Sequence, residues 1–265
     1  MKTFVFGANG MIGHYLCSYL DKPIAVTRDM VNALHLRENL LLGELDALKM
    51  KEGDCVVNAI GITNKYTREY WEFFAVNSIF PRKLSDYCEK RGVKMIHIST
   101  DCVFSGMRGN YSENDEHDEE LIYGMSKSLG EPINCTIIRT SVIGENTNNS
   151  LDLLEWVRSK KNTSIDGWVD HIWNGITCLQ FAKICSDVIN EKLFWQGVTH
   201  VHSPNVICKA DLLEIINEVY ELRNTIVRRN PELLCDRSLS SSRDISFNIP
   251  PIREQIIEQS KFTLK

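Results

Sequence analysis

Short hydrophobic runs alternate with longer segments of helical periodicity along the first half of the chain. A buried strand at residues 2–6 leads through the turn GANG into a helix at residues 11–20. The same order then repeats, with strands predicted at 24–27, 55–60, 94–99 and 135–139 and helices at 32–48, 70–91 and 123–131. Such alternation is typical of βαβ units, which form a parallel sheet covered by helices on both faces.

The rhythm changes after Gly144. The polar turn GENTNNS precedes a predicted helix at 151–160 and the aromatic stretch IDGWVDHIWNGIT. Helices are then predicted at 178–191, 209–220 and 253–259, and a strand at 198–202. We therefore expect an α/β fold with a Rossmann-type doubly wound parallel sheet in residues 1–145 and a smaller C-terminal α/β lobe in 146–265. The helix and strand near 176–202 are expected to return to the first domain.

Length and composition fit this architecture. The chain has 265 residues, of which 43% are hydrophobic and 25% charged, enough for one large domain and a small lobe. A net charge of −5 without a long basic run argues against nucleic acid or an acidic membrane surface as a partner. We predict neither a signal peptide nor a membrane-spanning segment, and therefore expect a cytoplasmic protein. The nine cysteines lack CxxC spacing, which favours buried thiols over a disulfide or a metal site.

A glycine-rich motif, GANGMIG, directly follows the first predicted strand and opens the first predicted helix. Glycine allows a tight turn and lets the backbone approach a pyrophosphate, whose charge is favoured at a helix N-terminus. The motif therefore predicts a dinucleotide site, formed by Gly7, Asn9, Gly10, Met11, Ile12 and Gly13.

Two other segments are expected to border this dinucleotide site. After the second strand, Arg28 would bind the 2′-phosphate of NADP, whereas Asp29 would bind the ribose hydroxyls of NAD. Alternatively, the two residues form a solvent-exposed ion pair in a loop. The third strand ends in the small residues of NAIG, which either leave room for a ligand or simply allow tight packing. The candidate cofactor contacts in this segment are Asn58, Ala59 and Gly61.

Tyr123 and Lys127 lie four residues apart on one predicted helix face, and Thr100 ends the strand expected to lie nearest to them. A tyrosine protonates an alkoxide near neutral pH when its pKa is lowered from about 10 toward 7, a change of about 4 kcal/mol. A lysine ammonium about 4 Å away supplies energy of that order. The threonine hydroxyl would hold the substrate oxygen for the transfer. Asn77, inside a long helix, is expected to have a hydrogen-bonding role.

Six motifs in this order, GANGMIG, NAIG, VNSIFPRKL, STDCVFSG, YGMSKSLGE and RTSVIG, resemble the extended short-chain dehydrogenase/reductases, in particular the dTDP-4-dehydrorhamnose reductase-like branch. They span residues 1 to about 144. The resemblance implies that Thr100, Tyr123 and Lys127 are catalytic and that Asn77 relays protons or positions Lys127. It also implies reduction of the 4-keto group of a 4-keto-6-deoxy sugar nucleotide, in the synthesis of a deoxysugar for a surface polysaccharide. NADP(H) is the favoured cofactor and NAD(H) the alternative.

Further expectations concern the substrate and its partners. The smaller lobe is expected to bind a nucleotide-diphosphate sugar, and homodimers are common in this family. By analogy with it, the expected substrate contacts are Asp101, Cys102, Val103, Trp173, Asn174 and Arg237, the arginine meeting a diphosphate. His97, between two isoleucines, is predicted to be a core histidine with satisfied hydrogen bonds.

The motifs also depart from the reductase pattern STDYVFDG, because Cys102 and Ser105 replace its tyrosine and second aspartate. GDP-fucose synthase has a cysteine at the place of Cys102 that acts as an epimerisation base. This similarity suggests an alternative function, an epimerase or a combined epimerase/reductase in which Cys102, with His171, abstracts the proton. In the other interpretation, Cys102 is only a small residue of the pocket wall. A non-catalytic NAD(P)-binding regulatory protein is a further alternative.

Overall fold

The computed structural model describes residues 1–35, 37–63, 69–146, 152–230, 234–245 and 247–265. The strands are β1 (Thr3–Phe6), β2 (Ile24–Val26), β3 (Cys55–Asn58), β4 (Lys94–Thr100), β5 (Thr136–Thr140), β6 (Val142–Ile143), β7 (Ser164–Trp168), β8 (His171–Trp173), β9 (Ile176–Thr177), β10 (Gly197–His200), β11 (Ile207–Cys208), β12 (Thr225–Arg229) and β13 (Cys235–Asp236). The helices are α1 (Met11–Tyr19), α2 (Glu38–Ala47), α3 (Tyr70–Phe74), α4 (Phe80–Lys90), α5 (Ile122–Leu129), α6 (Leu153–Ser159), α7 (Cys178–Asn190), α8 (Lys209–Val219) and α9 (Ile252–Ser260).

A parallel sheet in the order β10-β5-β4-β3-β1-β2 forms the larger part of the molecule. Its central strands β3 and β5 are buried along their whole length, as expected for a sheet covered on both faces. Alternate side chains point to opposite faces. Val5, Val57 and Ile96 join a core cluster that includes α7, whereas Phe4 and Val56 join another on the opposite face. The predicted doubly wound parallel sheet is confirmed.

The smaller lobe is built from α6, α8, α9 and short strands. β7 pairs in parallel with β12, and β8 lies between β11 and β13. Apolar residues form its own core cluster, among them Leu154, Val157, Leu213, Ile216 and Ile256. In the chain, β10 comes after β7, β8 and β9 and before β11, yet it pairs with β5 of the large sheet. The chain thus leaves the large sheet after β5 and returns to it once, at β10.

The elements that were predicted differ from the observed ones mainly in their ends, whereas the strands β6 to β9 and β11 to β13 were not predicted. The helix predicted at 70–91 consists of α3, a π-helical turn at Ala75–Ile79 and α4. The helix predicted from Asn32 begins at Glu38. The predicted start of another helix, Leu151, lies outside the described residues, and that helix is seen from Leu153. Within the described ranges, no helix is both long and apolar enough to cross a membrane.

Candidate active site

The strand order of the large sheet creates a crevice at its carboxyl edge. The chain passes from β1 to one side into β2 and later to the other side into β3, and open α/β sheets bind ligands where the strand order reverses in this way. A cavity of about 520 Å³ lies there. Its wall includes six residues predicted for the cofactor: Gly7, Asn9, Gly10, Arg28, Ala59 and Gly61.

The glycine turn brings α1 directly onto the end of β1. Gly7 has φ = +79°, a left-handed conformation that favours glycine. A Cβ atom on Gly13 would lie 2.0 Å from the Gly7 carbonyl oxygen, so a larger residue does not fit unless the backbone moves. The Gly10 N–H donates to the Gly7 carbonyl at 2.9 Å. The result is a narrow backbone cradle in front of the α1 N-terminus, of the kind that holds a pyrophosphate.

The wall of this cavity also carries the two residues that predict different cofactors. Arg28 and Asp29 are both exposed and both line the wall. Within the described part of the chain, no ion pair joins their side chains, so the expected loop pair is not seen. Both charged groups are therefore available to a ligand.

Asn58 lies beneath the cavity, not on its wall, because its side chain is 1% exposed. It accepts a hydrogen bond from the Ile60 N–H at 3.2 Å and pairs with Nδ1 of His97 at 3.0 Å, which shapes the turn after β3. His97 is fully buried and its Nε2 has no partner in the described residues, so the expectation of a fully satisfied histidine is only half met. Burial and the Lys127 charge hold the pKa of His97 well below its usual value.

Asn77 lies in the π-helical turn, a feature often found at functional sites. Its Oδ1 accepts from the Ile62 N–H at 2.9 Å, and its Nδ2 donates to the Ile62 carbonyl and the Ser126 hydroxyl, each at 3.0 Å. Both ends of the amide are thus bonded to groups other than Lys127. Asn77 joins α5 to the segment 60–63, which forms one wall of the cofactor cavity.

Thr100 and Tyr123 are brought together as predicted. β4 ends at Thr100, whose hydroxyl donates to Asp101 at 3.1 Å and accepts from the Cys102 N–H at 3.2 Å. α5 begins one residue before Tyr123 and presents the phenol to this strand end. Thr100 lies close enough to the phenol of Tyr123 to lower the pKa of Tyr123.

Other influences on Tyr123 are stronger, and the expected low pKa is not observed. Burial raises the pKa of Tyr123, and the neighbouring Cys102 and Asp101 add to the rise. Lys127 is 4% exposed and its ammonium donates to the Ile98 carbonyl at 2.7 Å. Burial lowers the pKa of Lys127 to about 8, with the Glu131 carboxylate opposing this change. Tyr123 is therefore protonated throughout the neutral range, as a proton donor must be.

A buried ion pair behind these residues was not predicted. Glu131 accepts two hydrogen bonds from Arg139, at 3.0 and 2.7 Å, and a third from the Ser99 hydroxyl at 2.5 Å. Arg139 also donates to Nε2 of His117 and of His200, each at 2.7 Å. The sequence does hold a signal, because a lone arginine in the buried strand TIIRT requires a partner.

A second cavity, of about 440 Å³, lies between the carboxyl end of β4 and the smaller lobe. It adjoins the first at the start of α1, where Gly10 lines one cavity and Met11 the other. Its wall includes the predicted substrate contacts Asp101, Cys102, Trp173 and Arg237, together with His171 and Lys209. Burial and the Asp101 charge raise the pKa of Cys102 to about 12, and burial also raises the pKa of Asp101.

Three residues predicted for the ligand sites have mainly structural contacts. Val103 is fully buried among Phe104, Tyr111 and Leu239. Asn174 is 3% exposed, and its amide bonds both the N–H and the carbonyl of Leu239, at 2.8 and 2.7 Å. Ile12 packs against the apolar core beside the large sheet. Such packing depends on the tertiary fold and has no local signature.

Arg237 lies on the wall of the second cavity, but its guanidinium is directed to the loop after β4. It forms an ion pair with Glu119 at 2.5 Å and donates to the Phe104 carbonyl at 2.8 Å. It also contacts the Cys102 sulfur at 3.7 Å. The predicted diphosphate contact therefore requires a guanidinium that is already hydrogen-bonded within the protein.

A family model described as RmlD substrate binding domain matches residues 1–232. The spore coat polysaccharide biosynthesis protein SpsK of Bacillus subtilis is 32% identical over 167 residues, 58% of this chain and 57% of that protein. A dTDP-4-dehydrorhamnose reductase of Mycobacterium tuberculosis is 29% identical over 137 residues, 49% of this chain and 44% of that protein. The chain thus spans about half the length of these relatives.

The fold is also found among solved structures. The crystal structure of dTDP-4-dehydrorhamnose reductase from Bacillus anthracis in complex with NADP has a TM-score of 0.82 to this chain at 18% sequence identity. The match covers 98% of each chain. At this identity the comparison establishes the fold.

Proposed function

The chain belongs to the RmlD substrate binding domain family, and on that premise we propose that it is a sugar-nucleotide reductase. Its reaction is the reduction of the 4-keto group of a 4-keto-6-deoxy sugar nucleotide by NADPH, in the synthesis of a deoxysugar for a surface polysaccharide. The observation that carries this proposal is the closeness of Thr100 to a protonated Tyr123, with Lys127 one helical turn further along α5 and with Asp101 and Cys102, next to Thr100, on the wall of the second cavity.

The first cavity suits a dinucleotide. Its cradle, formed by Gly7 and Gly13 at the α1 N-terminus, has no room for a Cβ atom on Gly13 but is open to the cavity. Residues 1–145 would hold NADPH, and Arg28 would bind its 2′-phosphate bidentately. We expect Arg28→Ala to raise KM for NADPH about tenfold or more and to leave KM for NADH unchanged, with Asp29→Ala as the matched control.

The residues of this chain then have separate tasks in the reaction. When bound, the nicotinamide supplies a hydride to the carbonyl carbon. The Thr100 hydroxyl holds the substrate oxygen, and Tyr123 donates its proton to that oxygen, so that the carbonyl becomes a secondary alcohol. The ammonium of Lys127 favours the tyrosinate that remains, provided that the lysine is charged. The smaller lobe, within residues 146–265, would hold most of the sugar nucleotide.

Epimerisation through Cys102 has less support. A base at this place needs a thiolate, whereas the pKa of Cys102 is raised to about 12 by burial and by Asp101. The thiol also contacts Arg237 and Asp101, at 3.7 and 3.6 Å, as a packed wall residue does. These observations favour simple reduction.

The test is the product formed from a dTDP-4-keto-6-deoxy sugar and NADPH in D2O, analysed by mass spectrometry after exchange of the hydroxyl hydrogens back to protium. Simple reduction predicts a product heavier than the substrate by two hydrogens, with no deuterium on ring carbons. Deuterium on ring carbons that requires the enzyme would show epimerisation. Tyr123→Phe is the control and should form product at least a thousandfold more slowly. Absence of product with dTDP-, UDP- and GDP-linked 4-keto sugars would contradict the proposal.

A further inference from the structure

Lys209 is a cation without an acidic partner on the wall of the second cavity. It is the first residue of α8 and is half-buried. Among the residues that the structure describes, none forms an ion pair or a hydrogen bond with its ammonium. Burial lowers the pKa of Lys209, and the thiol of Cys235 partly opposes this change. Because a charge that leaves water without a partner destabilises the fold, a cation in this position indicates an anionic ligand.

Three other charged groups of the same wall have partners within the protein. Asp101 accepts from the hydroxyl of Thr100, and Asp152 accepts from the Asn146 amide at 2.5 Å. Arg237 is paired with Glu119 at 2.5 Å. Among the described residues, Lys209 therefore differs from Asp101, Asp152 and Arg237 in having no hydrogen-bond or ion-pair partner within the protein.

The charges are distributed unevenly across this cavity. His171 on β8, Lys209 on α8 and Arg237 after β13 all belong to the smaller lobe. The carboxyl group of Asp101 belongs to the turn after β4, next to Thr100, and the charge of Arg237 opposes the rise of its pKa. The charge of Lys209 helps to lower the pKa of His171, so this imidazole is neutral and can donate a hydrogen bond. An anionic ligand is thus favoured at the smaller lobe and a neutral one at Thr100.

We propose that Lys209 binds the diphosphate of the sugar nucleotide and thereby directs the keto sugar toward Thr100 and Tyr123. This inference rests on the proposed function and gives Lys209 the role that the sequence suggested for Arg237. Arg237 instead positions the loop after β4, through Glu119 and the Phe104 carbonyl.

The experiment compares dTDP binding to the full-length protein and to Lys209→Met by isothermal titration calorimetry. Methionine has a similar length and no charge, so packing is retained. We expect Kd for dTDP to rise at least tenfold, while Kd for NADPH stays the same. Lys161→Met removes an exposed lysine of the same lobe and should not change either Kd. Lys209→Arg should restore most of the affinity for dTDP.

Kinetics with the keto sugar nucleotide provide the second readout. Lys209→Met should raise KM at least tenfold and lower kcat by a smaller factor, because Lys209 binds a part of the substrate that does not react. Lys209→Gln serves the same comparison if the methionine variant is unstable.

The outcomes separate the two proposals. If the wild type and Lys209→Met bind dTDP equally well while reduction is retained, the role of Lys209 is refuted and the proposed function stands. If the wild type binds dTDP and loses this affinity in Lys209→Met but reduces no keto sugar, the diphosphate site stands and the proposed reaction does not. If the wild type binds none of dTDP, UDP and GDP, both proposals fall.

Discussion

Burial, more than neighbouring charge, sets the protonation state of the individual residues at the site. Tyr123 and Lys127 lie where the sequence predicts them, yet the pKa of Tyr123 is raised and that of Lys127 is lowered to about 8. Desolvation disfavours the charged form of each group, which has opposite consequences for an acid and for a cation. The site therefore keeps the phenol of Tyr123 protonated and brings the pKa of Lys127 close to the physiological range.

This arrangement predicts an alkaline limit to activity. Lys127 is charged below pH 8 and loses its proton as the pH rises through about 8. We expect kcat/KM for reduction to be constant near pH 7 and to fall above about pH 8, measured between pH 6 and 9.5 with NADPH as the donor. A Lys127→Arg variant, whose guanidinium keeps its proton, should lose this alkaline fall even if its rate is lower. A wild-type profile that is flat to pH 9.5 would contradict the assignment of Lys127.

Stability should change in the opposite direction over the same range. The pKa of Lys127 is lower in the folded protein than in the unfolded chain, so between about pH 8 and 10.5 the unfolded chain binds more protons. The contribution of Lys127 to the free energy of unfolding therefore rises with pH in this window. Activity and stability thus have opposite pH dependence here, which separates loss of charge from loss of fold.

Among the elements, α1 and the π-helical turn position the first cavity. α1 begins directly at the end of β1 because Gly7 and Gly13 allow the two backbones to approach. In the π-helical turn, the Asn77 amide is hydrogen-bonded both to Ile62, in the segment 60–63, and to Ser126 of α5. The cofactor wall and the catalytic helix are thus connected by one buried amide.

The close approach at Gly13 predicts a large difference between two glycine substitutions. Gly13→Ala places a Cβ 2.0 Å from the Gly7 carbonyl, so the turn must open, and we expect Kd for NADPH to rise at least tenfold and the melting temperature to fall. Gly43→Ala in α2 is the matched control, since its Cβ would meet nothing within 4 Å. There alanine should stabilise the helix by about 1 kcal/mol and leave cofactor binding unchanged. Equal effects of the two substitutions would argue against the cradle.

On the scale of the whole molecule, Arg139 connects parts of the chain that are far apart in sequence. It contacts the turn after α5 through Glu131, β10 through His200 and the loop before α5 through His117. The ring of His200 in turn bonds the Ser240 carbonyl at 2.8 Å, close to the segment that carries Arg237. Both histidines accept hydrogen bonds from Arg139 and are therefore neutral.

This network predicts that the protein loses stability in mild acid. Burial and Arg139 lower the pKa of His200 to about 4, and the pKa values of His117 and His97 are also lowered. The unfolded chain binds protons at these histidines from about pH 6.5 downward, whereas the folded protein does not, so the free energy of unfolding falls with pH. His200 alone should account for about 2 kcal/mol between pH 7 and 5.

Urea unfolding at pH 7 and pH 5 measures this loss. His200→Gln keeps an acceptor for Arg139 but cannot be protonated, so it should show a smaller loss than the wild type. Equal stability of the wild type at both pH values would show that the buried histidines do not govern the acid response.

Local sequence was sufficient to predict the order of strands and helices from β1 to β5, the glycine turn, and the pairing of Tyr123 and Lys127 on one helix. The reason is that helical and strand periodicity, turn chemistry and (i, i+4) spacing depend on residues close together in the chain. The joint occurrence of the motifs then predicted the family. Local sequence did not predict the short strands of the smaller lobe. The ends of elements were less well predicted, as for α2, which begins six residues after the predicted start.

Only the tertiary structure decided which groups meet across elements, because burial and ion pairing depend on residues that are distant in sequence. Among the described residues, Val103 and Asn174 make structural contacts, Arg237 is paired with Glu119, and Lys209 has no acidic partner. The same long-range burial raised the pKa of Tyr123, which its local spacing to Lys127 had suggested would fall. The sequence alone thus determined the fold class and the chemical groups of the site, whereas their protonation and their partners followed from packing.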